Sequence, residues 1–350
     1  MRLEPPSWWH GSSPADRLKA ALLSPVAWVY GAAAQARFAL AKPYRSRLPV
    51  ICVGNFTVGG AGKTPLALAL AEIMRGMGHL PAFLTRGYGG SLVGPHKVDP
   101  ERDSASEVGD EALLLARAAP TVLARARSDG AKAIEALGAS VIIMDDGFQN
   151  PSLEKDLAII AIDAGAGLGN GRVFPAGPLR APLDAQSKRA SLAVVIGEGI
   201  GEAGAGTGLP VVNARLTPSE GVEWLRGANV AAFSGIGRPG KFFATLRECG
   251  ARLVAADAFP DHHTFTEAEA LMLVTNATAL DAILVTTEKD WVRIGATSRP
   301  LEELKDRART LPVKLVFPGE GEAWLKLFIS ARLNCHDDLN RQIPAHLALR

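Results

Sequence analysis

Hydrophobic positions along this chain fall into short blocks of strand length that alternate with longer segments of helical period. LPVICVG (48–54), LPAFLT (80–85), SVIIMDD (140–146), DLAIIAIDA (156–164), SLAVVIGEG (191–199) and LPVVNARLTP (209–218) form the first kind. Most are nearly continuous apolar runs, as expected for strands covered on both faces. Between them, LALALAEIMRGMG (66–78), EVGDEALLLARAA (107–119) and the later part of TVLARARSDGAKAIEALG (121–138) read as helices. The alternation predicts an α/β fold, a mostly parallel sheet with helices on both faces.

A second unit of the same grammar starts near Val230: VAAFSGI, GKFFATLRECG, ARLVAADAFPDH, TEAEALMLVTNA and DAILVTTEKD alternate strand and helix. A helical stretch, EAWLKLFISARL, follows near the end. The pattern predicts four parts: an N-terminal apolar helix (1–46), a larger α/β core (47–224), a smaller α/β lobe (225–318) and a helical tail (319–350). Two lobes imply a cleft that closes over substrate.

The most specific local signal follows the first strand. Residues 54–65, GNFTVGGAGKTP, break an apolar strand into a glycine-rich loop and then a helix, the layout of a phosphate-binding loop. Small residues let backbone N–H groups approach phosphate oxygens, and the helix start adds its positive dipole end. Thr57, Val58, Gly59, Gly60, Ala61, Gly62, Lys63 and Thr64 are the candidate nucleotide-binding residues. Lys63 would reach the outer phosphates and the Thr64 hydroxyl would ligate Mg²⁺. The usual first glycine is absent, since Thr57 stands there. A second nucleotide signal is SVIIMDD, an apolar strand delivering Asp145 and Asp146 where a metal-side carboxylate belongs. A P-loop NTPase-like core using ATP and Mg²⁺ is the expectation.

Two common classes lose their defining residues. A guanine-specific GTPase wants N-K-x-D after a strand, whereas TTEKD places Lys289 directly before Asp290. A K-G-G-x-G-K-T ATPase has a lysine where this chain has Val58. For proton chemistry the candidates are Asp110 at a loop-to-helix edge and His262 or His263 in FPDHH. The residues alone also allow a helix-dipole carboxylate and a packing histidine pair. Glu288-Lys289-Asp290 sits at a strand's C-terminal edge, where α/β sites collect.

The chain has 350 residues, 47% hydrophobic and 21% charged, with net charge +2, which gives no reason to expect a nucleic-acid partner. Residues 1–50 hold seven Lys/Arg against two Asp/Glu. Within them the uncharged stretch Ala20–Ala36 is flanked by Arg17 and Lys19 before and Arg37, Lys42, Arg45 and Arg47 after. It is at the short limit for a bilayer span and is interrupted by Pro25. A helix lying on a membrane face is expected, with Trp8, Trp9, Trp28 and Tyr30 at headgroup level. A helix packed on the catalytic core and a cleaved or spanning segment are the alternatives. Cys52, Cys249 and Cys335 are widely spaced, as free thiols in a reducing compartment are.

Taken in order, GNFTVGGAGKTP, TRGYGG, EVGDE, DDGFQ, PLRAPL, FSGIGRP, FPDHH and TTEKD resemble the tetraacyldisaccharide 4'-kinase family over about residues 15–330. The resemblance implies phosphorylation of the 4'-hydroxyl of an acylated glucosamine disaccharide 1-phosphate, a lipid A precursor, at the cytoplasmic face of the bacterial inner membrane. It implies Asp110 as the base with His262 as its partner, and Lys63 among the catalytic groups. Asp145, Asp146 and Glu111 would serve the metal beside Thr64, and Arg86, Tyr88 and Arg180 the acceptor. A polar residue at the Thr57 position is usual in that family. Ala181 is a departure, because the family commonly carries Glu in an L-R-E-P-like stretch there. The rival reading is a P-loop ATPase switch or metallochaperone without a lipid acceptor.

Overall fold

The computed structural model describes residues 6–197, 204, 206–295 and 298–341. The outermost ends of the predicted N-terminal segment (1–5) and of the helical tail (342–350) lie outside the described residues.

Among the described residues, thirteen strands form two sheets. The first contains β1 (Val50–Gly54), β2 (Pro81–Thr85), β3 (His96–Lys97), β4 (Thr121–Leu123), β5 (Val141–Asp145), β6 (Leu157–Asp163), β7 (Leu192–Ile196), β8 (Val211–Pro218) and β13 (Val313–Val316). Its order is β13-β8-β7-β6-β1-β5-β2-β4-β3, parallel except at its two edge pairs, β13/β8 and β3/β4. The second, all parallel, has β9 (Asn229–Ser234), β10 (Arg252–Ala258), β11 (Ile283–Thr287) and β12 (Arg309–Leu311) in the order β10-β9-β11-β12.

The first sheet is covered on both faces, and alternation along β1 shows why its apolar run is continuous. Ile51 and Val53 pack into a core with Leu66, Leu70 and Met74 of α2 (Lys63–Gly76). Three helices follow, α3 (Ala105–Val108), α4 (Asp110–Ala118) and α5 (Arg127–Glu135). Val50 and Cys52 point the other way, towards Phe56, Phe148 and Ile134 of α5. Successive side chains of a strand face opposite sides, so both must be apolar here. After α6 (Leu183–Ser187) the second sheet is flanked by α7 (Pro239–Glu248), α8 (Glu267–Ala279), α9 (Glu288–Trp291) and α10 (Arg299–Arg307). The tail helix α11 (Gly321–Arg341) returns to the first sheet, burying Leu325, Ile329 and Leu333 in the core that α2 shares.

The N-terminal helix α1 (Pro14–Ala39) runs without a break through Pro25. Proline removes the N–H that would meet the Ala21 carbonyl, and the helix continues with Ser24 Oγ donating to Ala20 O at 2.8 Å. Asp16 N–H donates to the Ser13 side chain to cap its start. Its packed face is small: Ala20, Ala27 and Gly31 are buried, and a Cβ on Gly31 would come 3.3 Å from Pro182. Leu18, Leu22, Val26, Trp28 and Val29 are exposed. Among the described residues no helix is long and apolar enough to cross a membrane.

Candidate active site

Parallel pairing of β1 with β5, in the register Val53↔Asp145, brings the glycine-rich loop and the acidic pair out at one sheet edge. The loop from Asn55 to Gly62 is held by a polar scaffold. Asn55, fully buried, donates from Nδ2 to Thr57 O (2.7 Å) and Gly59 O (3.2 Å). A strand-like segment pins its outer edge: Val58 N–H donates to Pro178 O, Arg180 N–H to Phe56 O, and Arg180 Nε to Thr57 O at 2.9 Å. Thr57 pairs with Leu179 in an isolated bridge, a conformation that asks for no glycine. Gly62 does need to be glycine: φ is +81°, and a Cβ would lie 2.9 Å from the Ile196 side chain. Lys63 and Thr64 then open α2.

Thr64 Oγ1 donates to Asp145 Oδ2 at 3.2 Å. The other Asp145 oxygen is buried without a hydrogen-bond partner. Burial, then the charges of Glu111 and Asp146, push the Asp145 carboxyl up to about 7. Asp146, with φ +50°, turns instead to the cations: its Oδ1 lies 3.8 Å from Lys63 Nζ and 3.7 Å from Arg180 Nη1. Glu111 accepts from Lys289 Nζ at 2.9 Å. Among the described residues no group of three or more His, Cys, Asp or Glu forms a metal cage. Mg²⁺ sites of phosphotransfer enzymes are seldom such cages, because substrate phosphates and water complete the shell. A buried carboxylate oxygen lacking a partner beside a threonine hydroxyl fits that donor set.

A second cluster forms where residues after β10 and α9 meet the start of α4. His262, with φ +59°, is fixed by its N–H donating to Gly235 O, and its Nδ1 lies 3.1 Å from Asp110 Oδ2. His263 is engaged elsewhere. Its ring lies 2.9 Å from Glu269, stacks on Phe259, and joins the cap of α8. Of the two histidines, it is His262 that meets Asp110. Asp110, buried at the start of α4, also accepts from Arg293 Nε at 2.7 Å and from Arg293 Nη2. Burial would raise its pKa, but the His262 hydrogen bond and the charges of Lys289 and Arg293 outweigh this and hold it well below the usual carboxylate range. Arg293 in turn donates from Nη1 to Asp290 Oδ1 (2.9 Å) and Gly235 O (2.7 Å).

Tyr88 lies over this corner, its ring centroid 6.0 Å from that of His262, and Arg86 is exposed just after β2. The structure therefore gathers the expected residues into two groups, Lys63–Thr64–Asp145–Asp146–Arg180 and Asp110–His262–Tyr88, with Glu111 tied to the second lobe through Lys289. Ala181, where a glutamate was expected, is buried and offers only its carbonyl, to Gln186 Nε2. Sequence reasoning missed Arg293. Its only trace is spacing: it stands three and four residues after Asp290 and Lys289, on the same helical side. Arg127 was missed too, a fully buried arginine donating to Ala124 O and, at 3.4 Å, to the Asp146 carbonyl.

Comparison with known proteins gives one consistent answer. The family model for tetraacyldisaccharide-1-P 4'-kinase matches residues 19–331. The tetraacyldisaccharide 4'-kinase of Methylobacterium sp. (strain 4-46) is 50% identical over 335 residues, 94% of this chain and 97% of that protein. One from Methylorubrum extorquens is 53% identical over 305 residues, 85% of this chain and 91% of its own. Among solved structures, LpxK from Aquifex aeolicus in complex with ATP superposes with a TM-score of 0.69 at 27% identity, covering 90% of this chain and 99% of that one.

Proposed function

The chain belongs to the tetraacyldisaccharide-1-P 4'-kinase family, and on that premise we propose that it transfers the γ-phosphate of ATP to the 4'-hydroxyl of an acylated glucosamine disaccharide 1-phosphate. The observation that carries this reading is a pair of residue groups linked through Glu111, whose charge acts on Asp145 and whose carboxylate holds Lys289. Lys63, Thr64 and Asp145 stand at the phosphate-loop edge of the first sheet, and Asp110 pairs with His262 at the start of α4. Phosphoryl transfer asks the protein mainly to position and to neutralise charge. Lys63 is suited to the outer phosphates, the loop N–H groups to the oxygens behind them, and Arg180 to charge at the reacting end. Mg²⁺, held by Thr64 and Asp145 with Asp146 and Glu111 in reach, would screen the phosphate charge. The Asp110–His262 pair would take the hydroxyl proton, and Arg86 and Tyr88 would meet the sugar.

The acceptor is a lipid, and α1 suits its delivery. Leu18, Leu22 and Val26 recur at four-residue spacing on the outer face, with Trp28 and Val29 beside them, all more than half exposed. Basic residues flank this stripe at both ends, the arrangement of a helix lying in an anionic interface. The working place proposed is the cytoplasmic face of the inner membrane, where ATP and the lipid precursor are both present. The experiment is transfer of labelled γ-phosphate to the purified acylated disaccharide 1-phosphate. Labelled lipid that depends on both ATP and enzyme supports the reading; ATP hydrolysis indifferent to the lipid, with no lipid phosphate formed, rejects it.

A further inference from the structure

Asp163 ends β6 with both carboxylate oxygens engaged. Oδ1 accepts from the Gly165 and Ala166 N–H groups at 3.0 and 2.9 Å. Oδ2 accepts from Arg238 Nη1 at 2.8 Å and lies 3.5 Å from Lys241 Nζ, two cations of the second lobe at the start of α7. The first sheet fixes where this meeting takes place. Asp163 pairs with Ile196 across β6 and β7, one strand spacing of about 4.8 Å. Ile159, Ala161 and Ile196 pack in the core shared with α2, so alternation turns Asp163 to that same face. There the Ile196 side chain closes on Gly62, where a Cβ would come within 2.9 Å of it. Asp145 faces the same way, and β5 and β6 flank β1. Asp145 therefore marks one side of the glycine-rich loop, and Asp163 brings Arg238 and Lys241 to the other.

The turn that carries these cations also holds the Asp110–His262 corner. Gly235 O accepts the His262 N–H and Arg293 Nη1, and Gly235 N–H donates to Asp290. Arg238 follows three residues later, at most about 11 Å along the chain. Pro239 opens α7 directly behind it. An ion pair this open to solvent, with Arg238 45% and Lys241 64% exposed, adds little to stability. One carboxylate does not balance two cations, and an end-on contact through Nη1 uses a fraction of the five guanidinium donors.

We propose that Arg238, assisted by Lys241, is a nucleotide-binding residue supplied by the second lobe: it donates to the phosphate chain of ATP on the glycine-rich loop, with Asp163 as the counter-ion that keeps it there. The inference rests on the kinase reading above and adds to it a contact from outside the loop. A guanidinium fork matches two phosphate oxygens, and Lys241, one helical turn behind, contributes a point charge. Burial would raise the Asp163 carboxyl, but the Arg238 hydrogen bond, the Ala166 N–H and the two cations hold it below the usual range. Asp163 is thus a lasting anion, and a phosphate chain competes with it by carrying more charge.

The test uses the full-length protein with Arg238→Gln, Lys241→Gln and Asp163→Asn, and reads ATP affinity by calorimetry with Mg²⁺. Arg238→Gln should raise Kd and KM for ATP about 10- to 100-fold, the worth of one charge-assisted hydrogen bond. KM for the lipid should stay within about twofold, because uniform binding of one substrate is what is lost. Inhibition by inorganic tripolyphosphate should weaken by the same factor as ATP binding; if it does not, Arg238 meets the base or ribose and the proposal fails. Asp163→Asn removes a negative charge from the same spot and should tighten ATP binding about two- to threefold, a change of opposite sign. Weaker ATP binding in both Arg238→Gln and Asp163→Asn, or a lowered Tm with ATP affinity unchanged, would make the pair a structural latch and overturn the proposal. Lys241→Gln alters a mostly exposed side chain and keeps the question open to measurement if Arg238→Gln does not fold. It should raise Kd for ATP about threefold or more, as loss of one nearby charge does, and no change counts against the proposal. If the wild type binds ATP but labels no lipid, the kinase reading fails while the Arg238 contact is still measured, which separates the two.

Discussion

Thr64 Oγ1 donates to Asp145 Oδ2 across 3.2 Å, tying the first turn of α2 to the end of β5. That contact depends on two strands lying side by side in parallel, and it sets where a cation and a triphosphate would be held. Beside it, Lys63 and Arg180 flank one oxygen of Asp146. Lys63→Ala and Asp146→Ala should each lower kcat by about a hundredfold or more, as removal of one preorganised charge at a reacting centre does. Steady-state assays with saturating lipid would measure it. Wild-type turnover in either variant rejects the assignment.

Much of this architecture is written in the chain, and the parts that are not have physical reasons. Continuous apolar runs such as VIIMD and LAIIAID mark strands buried on both faces, so the parallel core is legible. The β13 strand, VKLV, is four residues long with two exposed, and its pairing with Thr217 and Leu216 spans about a hundred residues of sequence; no local pattern specifies that. The phosphate loop and Asp145 are legible because chemistry restricts the residue types. Asn55 and Arg127 are not, since a buried polar side chain serving the backbone has no fixed spacing. Arg293 was hidden for a related reason: its partner Asp110 is 183 residues away.

Asp145 gives a pH-dependent metal response. Its carboxyl is pushed up to about 7, first by burial and then by Glu111 and Asp146, so at neutral pH it is shared between protonated and ionised forms. A cation binding the ionised form must displace the proton. The rise in Tm produced by Mg²⁺ with ATP should therefore be small near pH 6 and grow to a plateau above pH 8. Differential scanning fluorimetry across that range checks it. Asp145→Asn should abolish the pH dependence, and an equal Mg²⁺ effect at both ends in the wild type contradicts the assignment.

The exposed stripe on α1 makes a separate prediction. Leu22→Glu with Val26→Glu replaces two outward-facing side chains that touch little of the protein, so Tm should hardly change, as for surface substitutions worth within about 0.5 kcal/mol. Sedimentation with anionic vesicles should fall by about tenfold or more, since each buried apolar side chain contributes about 1.5–3 kcal/mol. Activity on lipid dispersed in detergent should survive better than activity on vesicles. Retained vesicle binding would assign the stripe another role.

The interlobe charges set stability at both ends of the pH scale. Asp110 has a folded pKa depressed below 3.8, so its contribution is complete above that value and is lost as pH falls towards the folded one. Lys289 is the mirror case. Burial would lower its pKa, but the charges of Glu111 and Asp110 raise it above 10.5, so its contribution is complete below 10.5 and fades as pH rises through the folded value. Between these limits neither group makes stability vary with pH. Asp110→Asn leaves the Arg293 guanidinium buried with half its partners and should cost about 3–5 kcal/mol at pH 7, the usual penalty for breaking a buried pair. Because protonation removes the same charge from the wild type, the gap between the two proteins should narrow as pH drops below 3.8. Denaturant unfolding at pH 7 and near pH 3 measures this. A gap that stays constant over that interval would mean that Asp110 does not carry its charge in the folded state.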